Sequence, residues 1–260
     1  MRISLYLDRR TVLHGLHPLV KLGILAATFA SIYGIDRPLA VAPVVIVLGA
    51  LLMGAGATVN VRRFWVMFVA VPVASFVMWT FFYGYGQGAV SAAARPRAEA
   101  VEYAAGMALK LESFLGASVL FLSITRVEEF TEALRLLGMP YRMSFAIAMA
   151  FRLVPLFLSS ALSVVAAQRA RGLEFSSGSV FARLARYMPI VVPVFMGALR
   201  RADAMAMALE TRGFGRRTER TSFARSRFGL RDAAAAALLV FVVGSYLWAW
   251  SHGYGRLSAR

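Results

Sequence analysis

The stretch FWVMFVAVPVASFVMWTFFYGY, Phe64–Tyr85, decides what kind of protein this is, and the run without a formal charge continues to Ala94. At 1.5 Å per residue a helix over Phe64–Tyr85 is about 33 Å long, enough to cross a hydrocarbon layer about 30 Å thick. The rest of the chain agrees. Of 260 residues, 59% are hydrophobic and 16% charged, with a mean hydropathy of +0.65. A soluble domain carries about 25% charged residues. This balance excludes a soluble enzyme and a disordered chain. With no cysteine, a disulfide scaffold, a thiolate nucleophile and a cysteine-ligated metal are excluded too.

Working outward from this segment, four more stretches predict spans. They run roughly Leu19–Ile35, Pro38–Thr58, Tyr103–Thr125 and Ala233–Trp250. Lys21 lies close enough to the start of the first to snorkel. The first follows Arg9 and Arg10 like a signal peptide, with Ala40-Val41-Ala42 in the place of a cleavage site. It ends at Asp36-Arg37, before that site, and more spans follow, so an uncleaved helix is expected. Tyr246, Trp248 and Trp250 near the chain's end read as an interfacial aromatic belt. The fold class is therefore all-α: a polytopic membrane protein with about five transmembrane helices and a helical cytoplasmic segment. Three regions follow: residues 1–125 with four spans, 126–231 as cytoplasmic or interfacial helices, and 232–260 with the last span and a tail.

The charges orient it. Lys plus Arg total 29 against 13 Asp plus Glu. With the N-terminus inside, the cytoplasmic side holds 23 of the 29 and the outside holds 5, Lys110 lying within a span. The positive-inside rule favours this N-in, C-out arrangement in a cell membrane.

The segment 126–231 is basic, with 17 arginines, yet apolar between them. A first helix is expected over Val127–Leu137, with Glu128, Glu129 and Glu132 early, where the helix dipole favours acids. Gly138 and Pro140 stop it. A second is expected over Tyr141–Arg171, kinked at Pro155 and closed by Gly172. A third covers Phe181–Arg212, kinked at Pro189 and Pro193 and closed by Gly213. Leu153–Gln168 lacks charge but is short and interrupted by Ser159, Ser160 and Ser163, so a helix at the membrane surface is expected there. The last two helices share an ending: Ala170-Arg171-Gly172 and Thr211-Arg212-Gly213. A cation in the last turn with glycine after it is ordinary capping. Its repetition on two consecutive basic helices suggests a second role, because a guanidinium fork fits a partner's carboxylates.

At these residues the chain resembles the T component of energy-coupling-factor (ECF) transporters, ABC-type importers of vitamins and transition metals. That family has two long coupling helices, each ending in X-Arg-X, often Ala-Arg-Gly; Thr211 departs from the usual Ala. The resemblance extends over Thr125–Gly172, including Phe151–Pro155, over Ala198–Gly213, and over Leu13–Lys21. The last resembles Leu-His-x-Leu-Asp-Pro-x-x-Lys with His17 in place of Asp. The resemblance implies two ABC ATPase partners docking on Ala170, Arg171, Gly172, Thr211, Arg212 and Gly213. It implies a membrane-embedded substrate-binding S component as well, for which the apolar faces at Leu153, Leu156, Phe157 and Leu162 and at Ile190, Val194, Phe195 and Leu199 are expected contacts. The ATPases would bind ATP and Mg; no cofactor is expected in this chain. Substrate choice, among compounds such as biotin, thiamin-related molecules, cobalt or nickel, would rest with the S component.

Catalytic machinery is missing. Neither Lys21 nor Lys110 follows a glycine, as a P-loop requires, and no nucleophile–base constellation appears, so no catalytic residue is expected. Gly84–Gly88 reads as a loop. His14 and His17, three apart, lack a third ligand, so no metal is expected. Lys110 and Glu112, inside a span, read as snorkelling and interhelical pairing near the outer leaflet, with gating or contact with a partner as the functional alternatives. The competing reading of the whole chain is a basic membrane anchor whose cytosolic helices bind anionic lipid or nucleic acid. The coupling reading expects no nucleic acid.

Overall fold

A computed structural model describes residues 6–82 apart from 8, 10, 34 and 36, then 97–172, 180–215 and 228–252. The regular structure of the described residues is helical. In chain order it comprises α1 Pro18–Tyr33, α2 Pro38–Gly54, α3 Thr58–Arg63, α4 Trp65–Phe82, α5 Arg97–Ile124, α6 Val127–Leu136, α7 Tyr141–Ala170, α8 Val180–Thr211 and α9 Leu230–Ser251. Proline opens α1 and α2, where its missing N–H costs nothing. The expected loop at Gly84–Gly88 lies outside the described residues.

The chain forms two compact units, one of Met1–Ala133 with Ser226–Arg260, the other of Leu134–Arg225. In the first, α5 packs against α1, α2 and α4, and α9 packs on α1. Leu48 and Leu52 of α2 meet Ala117, Leu120 and Ile124 of α5 in one core cluster. Ile32, Ile35 and Val41 form another, with Leu109, Phe114 and Tyr246 against it. The hydroxyl of Tyr246 donates to Ala40 O at 3.0 Å. Tyr246 is thus turned toward the protein, whereas Trp248 keeps the exposure expected of a belt residue.

Four described helices are long and apolar enough to cross a membrane: α4, α9, the Ala100–Ile124 part of α5, and α7. Three of them are expected spans. The first two expected spans form shorter apolar helices of 16 and 17 residues; α2 stops at a turn through Gly56, at φ +66°. The addition is α7. Its helix runs 30 residues through Pro155 without a break, so the charge-free Leu153–Gln168 gains the apolar residues before it.

In the second unit α7 and α8 run antiparallel. Phe214, just past the end of α8, packs on Phe145 at the start of α7, with ring centroids 4.5 Å apart. At the other end of α7, Gln168 Nε2 donates to Pro189 O, early in α8, at 3.3 Å.

Candidate functional site

Both arginine-tipped ends are closed by backbone geometry. The Arg171 N–H donates to Ala167 O and Gln168 O, and Gly172 follows at φ +85°. Nothing lies within 4 Å of where a Cβ on Gly172 would stand; glycine is required there by the backbone, not by space. At α8, the Phe214 N–H donates to Leu209 O at 2.9 Å and the Gly213 N–H to Glu210 O at 2.9 Å, with Gly213 at φ +71°. This pair of bonds is a complete Schellman closure. The Thr211 hydroxyl donates to Ala208 O at 3.0 Å. It is satisfied within its own helix, so threonine substitutes for alanine without leaving a polar group unpaired. With both ends closed this way, neither arginine is needed to satisfy the last carbonyls. Ala170, Arg171, Gly172, Thr211 and Arg212 are exposed and Gly213 half-buried. Among the described residues neither guanidinium has a hydrogen-bond or ion-pair partner.

Because α7 and α8 are antiparallel, the structure does not bring the two arginines together. Arg171 follows the Gln168 end of the pair, and Arg212 the Phe145 end. Along α7 these ends are about 35 Å apart at 1.5 Å per residue. Between them Leu156, Leu162, Phe195 and Leu199 are exposed, and Leu153, Phe157 and Val194 are half-buried. Ile190, expected on the same face, is only 7% exposed; it is held in the interior of this unit.

The first unit holds a polar cluster that sequence reading missed. Lys21 is buried at 1% exposure and does not snorkel. Its Nζ lies 2.7 Å from Glu129 Oε2 and donates to His14 O at 2.7 Å and Ile124 O at 2.9 Å. All three protons of the ammonium are used, which is what makes its burial tolerable. Glu129 also accepts from the Arg126 N–H at 3.2 Å, capping the start of α6. Asp232 of α9, 6% exposed, accepts from the His17 N–H at 2.6 Å and the Gly229 N–H at 2.9 Å. His17 Nδ1 accepts from the Leu19 N–H at 3.3 Å, the capping job of an aspartate. Asp232, 215 residues on, thus fixes the backbone of position 17 just before α1. The one signal available in the sequence was that departure at position 17. Lys110, at 7% exposure, is inside this unit as well, whereas Glu112 borders a cavity of about 460 Å³ with Arg62 and Trp65.

Apolar helices of spanning length, taken with the relatives, define a multi-pass membrane transport subunit. The CbiQ cobalt transport protein family matches residues 9–223. The energy-coupling factor transporter transmembrane protein EcfT of Limosilactobacillus fermentum is 37% identical over 117 residues, 45% of this chain and 44% of that protein. EcfT of Brevibacillus brevis is 31% identical over 144 residues, 54% of each chain. EcfT of Bacillus selenitireducens is 25% identical over 261 residues, 94% of this chain and 95% of that one. The chain spans about half the length of most relatives it matches and nearly all of the last. The chain belongs to the CbiQ family, the transmembrane T components of ECF transporters.

Proposed function

We propose that this chain couples two cytosolic ATPase subunits to a membrane-embedded S component that binds a vitamin or a transition-metal ion. The N-terminus lies in the cytoplasm and the membrane is the inner membrane of a prokaryote. The observation carrying this reading is the antiparallel pair α7 and α8, with an exposed, unpartnered arginine at each far end. One arginine reaches each ATPase, which binds ATP and Mg. Closure of the ATPases on ATP moves the two ends of the pair, and the exposed apolar surface of Leu156, Leu162, Phe195 and Leu199 passes the motion to the S component.

The test is uptake and complex recovery for Arg171→Ala, Arg212→Ala, the double variant, and the lysine variants. Truncating one member of a buried charge pair at an interface costs about 2–5 kcal/mol, which is about 30-fold to several-thousand-fold in affinity. The double variant should be worst, and lysine should rescue only in part, lacking the planar fork. A pure capping role predicts a loss of only about 0.3–1 kcal/mol, fully restored by lysine. A double alanine variant that assembles and transports like the wild type refutes the coupling role. For orientation, a cysteine at Ser258 should react with an impermeant thiol reagent in intact cells and one at Ser177 should not; both positions lie outside the described residues.

A further inference from the structure

The apolar stretch of α5 that is long enough to cross a membrane, Ala100–Ile124, carries an acid at its centre: Glu112 lies twelve residues from either end, about 18 Å at 1.5 Å per residue. An ionisable group at the middle of a spanning helix is rare, is normally paired and marks a functional site. Glu112 is half-buried and has no hydrogen-bond or ion-pair partner among the described residues. Lys110 does not serve as one. Residues at i and i+2 point to different faces of a helix, and Lys110 is buried with an interaction of its own.

Glu112 lines a cavity of about 460 Å³ whose other walls come from α2, α3 and α4. Small-molecule sites have volumes of about 300–1,000 Å³ and apolar, aromatic walls with few polar groups. Here α4 supplies Trp65 and Phe68, nearly one turn apart, and α2 supplies Gly49. Nothing lies within 4 Å of where a Cβ on Gly49 would stand, so the space beside it is open. Ser113 donates its hydroxyl proton to Leu109 O at 2.8 Å, within its own helix. Arg62 reaches the cavity from the α3 end. There α3 meets α5 at Ser123, whose Oγ accepts from Asn60 Nδ2 at 2.8 Å, and Ser123 stands about 16 Å along α5 from Glu112. Arg62 is exposed and forms no ion pair with Glu112. The carboxylate therefore faces an apolar, aromatic-walled space with no counter-charge beside it. We propose that this cavity binds a hydrophobic cation, a drug-sized apolar body carrying one positive centre. The positive centre sits against Glu112, where apolar surroundings strengthen the attraction. The Trp65 ring adds cation–π attraction, and the apolar body fills the space beside Gly49. A basic side chain from another subunit would meet the charge but leave much of the volume unfilled; a compact molecule satisfies both.

The test uses the full chain in a neutral detergent with no other subunit present, so its result is independent of the coupling role. The probes are tetraphenylphosphonium, the slimmer cation phenylbutylamine, and tetraphenylborate, an anion of the same shape as the first. Binding is read by equilibrium dialysis with equal micelle concentrations on both sides. Both cations should saturate a single site, and tetraphenylborate should not. Glu112→Gln keeps the shape and removes the charge; it should lower the affinity for both cations about tenfold. Trp65→Leu should lower it about threefold. Gly49→Phe, which fills the open space, should abolish tetraphenylphosphonium binding. If neither cation saturates the wild type, the proposal is overturned and Glu112 is left to a basic side chain of another membrane subunit. Tetraphenylborate saturating the wild type as tightly as tetraphenylphosphonium overturns it too, because the cavity then does not choose by charge. So does a Glu112→Gln chain that binds both cations like the wild type.

Discussion

The two units are helical in different ways. In the first, polar bonds join segments far apart in sequence: Lys21 to Glu129 across 108 residues, His17 to Asp232 across 215, Tyr246 to Ala40 across 206, and Asn60 to Ser123 across 63. In the second, the buried residues among those described are Ser144 and Ile190, and the polar bond between α7 and α8 from Gln168 to Pro189 is exposed. Where lipid surrounds a helix, apolar burial against another helix brings little, and association rests on close packing and interhelical polar bonds. The first unit has both and is a fixed frame. The second has length, closed ends and a large uncovered apolar surface, as expected of a part whose packing is completed by something outside the chain.

That contrast can be broken by substitution. The largest expected effect is at Glu129. Glu129→Ala leaves the Lys21 ammonium buried without its counter-charge and should cost about 3–5 kcal/mol, read as unfolding in detergent. Phe195→Ala, at an exposed position of α8, should change the stability of the isolated chain by no more than about 0.5 kcal/mol, while lowering recovery of the S component. Equal costs for the two would erase the distinction between frame and lever. Next comes Asp232→Ala, which strands the buried His17 N–H and should cost about 1–3 kcal/mol; Asp232→Asn keeps an acceptor and should lose less. Smaller still is Gly172→Ala, which forces a side chain into the left-handed region for about 1–2 kcal/mol. If it leaves the end of α7 and complex recovery unchanged, the closure of that helix does not position Arg171.

Most of the helical plan was legible, because its signals are local. Gly138, Gly172 and Gly213 mark ends that the backbone closes with positive φ, and Pro18, Pro38 and Pro140 mark starts. The arginine endings were legible for the same reason. That α7 as a whole is long and apolar enough to cross a membrane was not. Serines interrupt the charge-free Leu153–Gln168, yet Ser159, Ser160 and Ser163 donate to carbonyls within their own helix, so the helix continues through them. Lys21 was misread for the opposite reason. Near the start of a span, a lysine with no acid close by in sequence looks like a snorkelling residue, and its partner lies 108 residues on. Ile190 reads as surface by helical pattern, and only the packing of the second unit buries it.

In chain order, the second unit is inserted into the first, between Ala133 and Ser226, and this imposes a schedule on synthesis. The start of α1 emerges early, but the carboxylate that accepts the His17 N–H arrives 215 residues later, a delay of about 10–45 s at about 5–20 residues per second. During that interval the first helix waits in the membrane with its opening turn incomplete and without α9 packed on it. Chains that stop after Arg225 are held permanently in that waiting state. They should be cleared by membrane proteases faster than full-length protein, a difference that a pulse-chase of the truncated and full-length chains would time directly.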